Sequence, residues 1–353
     1  MVTQKMETQE TLIHPGPNGL TGKELILATK PYAREIRSKS WLYTLTSLAL
    51  LVGCIAGVYL IDWLPLKIVF SILTGLMIVR MFVLYHDHQH HAILHRSVIA
   101  NIIMTIFGIF VLAPAGIWKR SHDYHHKHNS KLFSASIGSF PIASKQKYLN
   151  MAPGERRMYL FTRHPLTMMF GYIFMFIIGM CINSFISNPK KHIDSLIALI
   201  IHFSLSALVV VTLGWQAWLL CVFIPFFIAC AIGSYLFYAQ HNFPSVTFKD
   251  NKDWKYEISA LESSSHMKMS RFMQWVTANI GLHHIHHLNA RIPFYRLPEV
   301  MTAFPELQKA GVTSLAPREI LACLRLKVWD PERNRMIGFK ELREDRRSFK
   351  LAD

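Results

Sequence analysis

Four stretches of this chain, Trp41 to Ile61, Leu66 to Tyr85, Leu196 to Leu213 and Ala217 to Tyr238, stay apolar over close to the roughly 20 residues that a bilayer core demands. Inside lipid a backbone finds no water, so such runs must be helices, and the rest of the chain folds around them. The 51% hydrophobic content agrees with a multi-pass membrane protein. Two further apolar stretches are ambiguous. Ile99 to Ile117 contains Pro114 and Gly116 and ends in Trp118-Lys119-Arg120, and Thr167 to Ile186 follows Arg163-His164-Pro165.

Charge bias favours one reading of them, with six full spans as the alternative. Lys5, Lys23, Lys30, Arg34, Arg37 and Lys39 precede the first span, which places the N-terminus in the cytoplasm. The connectors Asp62-Trp63-Leu64-Pro65 and Gly214-Trp215-Gln216 lack Lys and Arg and suit the outer face. Residues 119–166 and the pair Lys190 and Lys191 read as cytoplasmic. Each ambiguous stretch then starts and ends on the same side. The expected fold is all-α and integral to the membrane: four spanning helices in two hairpins, two re-entrant or interfacial segments, and a cytoplasmic helical cap. Three regions follow: a polar cytoplasmic segment at 1–39, a membrane domain at 40–316 and a cytoplasmic tail at 317–353. Residues 1–39 have no apolar core, so the first span acts as the insertion signal.

The net charge of +16, from 38 Lys and Arg against 22 Asp and Glu, gives this apolar body a basic exterior. That suits anionic headgroups or an acidic protein partner. The basic residues flank hydrophobic runs and form no nucleic-acid motif, which argues against nucleic-acid binding. The five Cys show no C-x-x-C spacing and read as small buried hydrophobes.

Histidine is the anomaly. The second span runs into His86-Asp87-His88-Gln89-His90-His91, with His95 beyond. His86 and His90, four apart, share a helix face, and His91 is an alternative partner five apart. His122, His125 and His126 sit at i, i+3 and i+4, and His283, His286 and His287 repeat that spacing. The three clusters hold 13 of the 19 His. Imidazole suits Fe, Zn, Cu or Ni. Eight aligned His exceed the four ligands of one structural zinc and suit two metals of higher coordination. A surface His-rich tract would not repeat one helical spacing on one membrane face.

At these residues the chain resembles the membrane fatty acid desaturase family, which carries one HxxxH or HxxxxH box and two HxxHH boxes. Trp118 and Arg120 before the second box, Phe237-Tyr238-Ala239-Gln240-His241, the stretch Gln274 to Leu297 and the tail Leu324 to Phe339, with Val328-Trp329-Asp330, are similar to bacterial acyl-lipid desaturases. The resemblance spans roughly residues 70 to 340. It implies two iron ions held by His86, His90, His122, His125, His126, His283, His286 and His287, with His241 as a ninth ligand and His91 as the alternative to His90. Asp87, Asp123 and Asn279 are expected to orient ligating rings through their second nitrogen. His88, His128 and His284 carry no assigned role.

The resemblance further implies desaturation of a fatty acyl lipid with O2. The sequence shows no flavin or nicotinamide fingerprint, so the two electrons are expected from a separate ferredoxin or cytochrome b5-like donor. A bacterial cytoplasmic membrane, with the site facing the cytoplasm, is the expected location. No catalytic residue is expected beyond the ligands. A hydroxylase on the same centre is the alternative reading. A metal transporter fits less well, because its ligands would lie along a path in mid-membrane and the spans here are nearly free of them. His202, inside a span, is the exception; it is either functional or bonded to a helix carbonyl. Arg80 reads as snorkelling to the interface or supporting the metal site from beneath. His14-Pro15-Gly16, although similar to a haem-binding loop, reads as chance.

Overall fold

The computed structural model describes residues 19–132, 140–249 and 254–350. Most of the N-terminal segment's first half, including His14-Pro15-Gly16, and the last three residues of the tail lie outside the described residues.

Among the described residues, four helices are long and apolar enough to cross a membrane: α1 (Arg37–Leu60), α2 (Leu64–Gln89), and later a pair labelled below. Pro65 sits in the first turn of α2, where its missing N–H costs nothing. The 26 residues of α2 extend roughly 39 Å, more than the roughly 30 Å of hydrocarbon. It is thus long enough to span with length to spare, and His86 and His88 lie in its last turn.

Next come α3 (Val98–Phe110) and α4 (Ala115–Lys127), bent by 92° at the break between them. Leu112, in the left-handed region at φ 59°, and Pro114 turn the chain there. The apolar α3 has 13 residues, too few to span, and α4 is polar. The stretch beyond Thr167 forms a short apolar helix over Tyr172–Ser187, largely in π geometry. The bent pair is the shape of a re-entrant loop or of a broken span, and the second apolar helix is shorter than a span. The remaining spans, α5 (Ile193–Leu213) and α6 (Trp215–Ala239), are joined at Gly214. Residues Leu219–Phe223 of α6 wind as a π-helix just before Pro225.

Helix α2 is the hub, packed between α1 and α6, and 67% of its apolar window is buried against only 11% for α5. Leu208 and Val211 of α5 stay exposed, as lipid-facing side chains do. All five cysteines are free, and four are buried, as their apolar settings suggested. Two small sheets modify the all-helical expectation: His266–Lys268 pairs in parallel with Val312–Ser314, and Val328–Asp330 antiparallel with Arg335–Ile337. Three-residue strands are too short to leave an alternating pattern in the sequence. Trp329 of the tail is buried in the main core, and Val328 and Ile337 in a smaller cluster with Tyr148 and Tyr159.

Candidate metal centre

Among the described residues, nine histidines converge in two adjoining groups. His86, His90, His122, His126 and His286 form one; His125, His241, His283 and His287 form the other. Within each group the ligand nitrogens lie within 4.8 Å of one another.

The H-x-x-H-H spacing has a consequence that one shared helix face did not reveal. In α4 the i, i+4 pair His122 and His126 serves the five-membered group, while His125 turns to the four-membered one. The helix α7 (His283–Leu288) does the reverse: His283 and His287 serve the four-membered group and His286 the other. Each box thus feeds both groups and fixes their separation. The stacked rings of His126 and His287, 4.2 Å apart at 17°, mark the seam.

In the four-membered group the Nε2 atoms form a closed quadrilateral: His125 to His241 3.1 Å, His241 to His283 3.0 Å, His283 to His287 3.1 Å and His287 to His125 3.2 Å. A neutral imidazole nitrogen is a donor or an acceptor, never both, so protons on alternate atoms satisfy only half of these contacts. A cation at the centre satisfies all four. For a flat square of this side the centre lies about 2.2 Å from each corner (3.1 Å divided by √2), close to a metal–imidazole bond. In the other group His86, His122, His126 and His286 are linked through Nε2 contacts of 2.8, 3.1 and 3.1 Å. The His90 Nε2 is buried there without a hydrogen-bond partner. The residues fit two metal ions.

Burial, and then the neighbouring imidazoles, holds His90, His122, His126 and His286 well below the ordinary histidine pKa. The same causes act on His125, His283 and His287. Burial lowers His241 to about 4, partly offset by its bond to the Ser263 carbonyl. All eight are therefore neutral at pH 7, the form that binds a metal.

Of the neighbours expected from sequence, Asp87 is the one placed against a ligand. Its Oδ1 lies 3.3 Å from His86 Nδ1, and its Oδ2 accepts from the Phe294 amide at 2.8 Å. Asp123 instead accepts from Lys119 at 2.9 Å, and Asn279 donates to the Phe294 carbonyl at 3.1 Å. Neither touches a ligand ring. The His241 Nδ1 faces the Ser263 carbonyl at 2.9 Å, and Trp118 stacks on His122 at 4.9 Å and 11°. Tyr256 bonds the His287 carbonyl at 2.5 Å. Contacts such as those of Ser263 and Tyr256 leave no sequence signal, being backbone contacts across long separations.

His91, at φ 60°, packs its ring against His95 at 4.4 Å, outside both groups. His88 reaches the Ile93 carbonyl, His128 the Tyr124 carbonyl, and His284 is buried beside His266. Arg80 does not snorkel. It is 3% exposed, donates to Ser47 Oγ at 2.8 Å and to the Trp275 carbonyl, and lies 4.3 Å over the Trp275 ring. His202 bonds the Tyr172 hydroxyl and not a helix carbonyl.

A narrow cavity opens between α2 and α6. Its walls are apolar except where His86, Gln240 and His283 line it. One histidine of each group thus faces an apolar space.

Comparison with known proteins places this geometry. The family model for fatty acid desaturase matches residues 61–316. A fatty acid desaturase of Bacillus subtilis is 28% identical over 81% of this chain and 83% of its own length. An sn-1 oleoyl-lipid 12-desaturase of Synechocystis is 24% identical, covering 74% of each chain. An sn-1 acyl-lipid omega-3 desaturase (ferredoxin) of Nostoc is 23% identical over 70% of each.

Proposed function

This chain belongs to the fatty acid desaturase family, and on that premise we propose that it inserts a double bond into the acyl chain of a membrane lipid at a nine-histidine, two-iron centre. The observation that carries the reading is the apolar cavity ending on His86 and His283, one from each group. As a family member it is an oxidoreductase.

A bound iron pair supplies, with O2, the oxidising power that acid–base groups lack toward an unactivated C–H bond. In balance, a –CH2–CH2– unit, O2, two electrons and two protons give –CH=CH– and two waters. The chain contributes position and dryness. Phe82 and Phe237 wall the cavity beside the ligands, and Trp118 packs against both rings, so water is kept from the reacting carbons. Gln240 donates to the Ile280 carbonyl at 2.9 Å, which ties the end of α6 to the approach of α7. Asp87 holds the His86 ring and the Phe294 backbone together, joining the first box to the segment after the third. An ester-linked headgroup cannot enter the apolar cavity, so the acyl chain enters methyl end first.

The electrons come from a separate ferredoxin or cytochrome b5-like donor, which the basic surface attracts. The Lys and Arg around the site support a cytoplasmic-facing centre, in what we take to be a bacterial inner membrane. Expression in a host of simple lipid composition, with a ferredoxin and its reductase, tests the reading. New monounsaturated acyl chains, located by mass spectrometry, are the expected product. Chains that gain an oxygen atom would instead assign a hydroxylase, and unchanged lipids would overturn the proposal.

A further inference from the structure

The cavity between α2 and α6 has a definite end. Both helices run toward the histidine centre, and the lining residues furthest from it are Ile78 on α2 and Phe226 on α6. Just beyond that level the helices close on each other. Ser71 Oγ donates to the Leu220 carbonyl at 2.6 Å. One turn on, a Cβ at Gly75 would stand 2.9 Å from the Pro225 carbonyl and 3.0 Å from Ile228 Cβ. From this pinch toward the histidines the cavity is lined by residues of both helices. The eight helical rises of α2 from Ile78 to His86 give its lining a length of roughly 12 Å; the fourteen of α6 from Phe226 to Gln240 reach roughly 21 Å.

Phe226 is clamped from behind. Its ring lies 5.0 Å from His202, 5.5 Å from Tyr172 and 5.3 Å from Phe110. Tyr172 and His202 bond each other, and both are buried within the apolar body. Neither lines the cavity, neither approaches the metal groups, and a polar pair in hydrocarbon needs a reason. Their mutual hydrogen bond joins the short helix after Phe170 to α5, and Phe226 of α6 rests on the join.

We infer that Phe226, held by the Tyr172–His202 pair, is the stop against which the methyl end of the acyl chain rests, and so sets which carbons lie beside the histidines. The inference rests on the desaturase reading and deepens it. Phe226 is the specificity-determining residue; Tyr172 and His202 are positioning residues that act through its ring. The distance from stop to ligands is fixed by two helices, so moving the stop moves the site of reaction along the chain.

Three variants test this in the expression host with its electron donor. Phe226→Ala deepens the cavity and is expected to favour longer acyl chains, or to shift the double bond toward the carboxyl end, by at least tenfold in product ratio per added pair of carbons. Gly233→Leu, about two turns nearer the centre, adds a side chain where a Cβ meets nothing within 4 Å; it should reverse the preference. Tyr172→Phe frees the His202 ring and is expected to scatter the double-bond position, a change that mere loss of stability would not produce. An independent arm uses the metal-free, detergent-solubilised protein and radiolabelled lysophosphatidylcholines of rising chain length. The wild-type affinity should rise with length and then break, and the break should move to longer chains in Phe226→Ala and to shorter ones in Gly233→Leu. Should the wild type form no double bond, the desaturase reading fails, while the binding arm still tests the stop. A binding break and product position that stay the same in both cavity variants would overturn the inference.

Discussion

Replacing His90 with Asn and, separately, His91 with Asn gives two neighbouring changes of identical chemistry and opposite expected result. The His90 Nε2 is buried, without a hydrogen-bond partner, in the five-membered group, with its ring 4.5 to 4.9 Å from those of His86, His122, His126 and His286. Asn is too short to bring a donor to the same point. Loss of a group that merely supports a ligand costs about 10- to 100-fold in metal affinity, and loss of the ligand itself costs no less. The His90→Asn protein, purified without added iron, should therefore retain about half the wild-type metal, since the four-membered group is untouched. His91 contacts only the rim, through His95, and its backbone is left-handed. Asn tolerates that conformation well, so His91→Asn should keep full metal content and change stability by no more than about 0.5 kcal/mol. The assay is elemental analysis of iron per chain, with protein quantified by amino-acid analysis. Equal losses in both variants, or a larger loss in His91→Asn, would refute the assignment.

Other consequences are equally direct. Gly75→Val drives a side chain into the Pro225 carbonyl, only 2.9 Å from the ideal Cβ, and should cost about 1–3 kcal/mol, read as a lower melting temperature in detergent. Arg163, fully buried, donates to the Pro141 carbonyl at 3.0 Å and the Asn242 Oδ1 at 2.5 Å. Arg163→Met strands those acceptors and should cost about 1–3 kcal/mol; a melt equal to the wild type would contradict this. The metal-free protein should weaken in acid. His241 has a folded pKa of about 4 against an ordinary 6.5, so the unfolded state binds more protons between these values. The stability is complete above pH 6.5 and lost as pH falls toward 4, by about 3 kcal/mol for this residue (2.5 units at 1.36 kcal/mol each). Denaturation followed over that window checks it, and His241→Gln should show a shallower loss.

The spans and boxes were legible because their physics is local. A run of apolar residues must be helical in lipid, and spacings of three and four share a helix face. The choice between His90 and His91 was open because α2 ends at Gln89, just before both residues. His90 still accepts the helical geometry, its amide bonding the His86 carbonyl, whereas His91 turns left-handed. No spacing rule marks His241, a lone residue after the last span; the resemblance alone pointed to it. The division of each H-x-x-H-H box between two groups needs the angle at which α4 meets α7, a tertiary quantity. Asp123 and Asn279 were natural choices by proximity in sequence, yet Lys119 and the Phe294 carbonyl occupy them. The cavity was invisible for the same reason. It is lined from both α2 and α6 beyond their close approach at Gly75, and no single helix encodes that pairing.

The most direct test is anomalous X-ray diffraction at the iron edge from crystals of the purified, iron-loaded protein. Two peaks per chain are expected, one among His86, His90, His122, His126 and His286 and the other among His125, His241, His283 and His287, with imidazole nitrogen as the only protein ligand. A single peak, a peak outside these groups, or a cysteine or carboxylate in direct contact with the metal would contradict this.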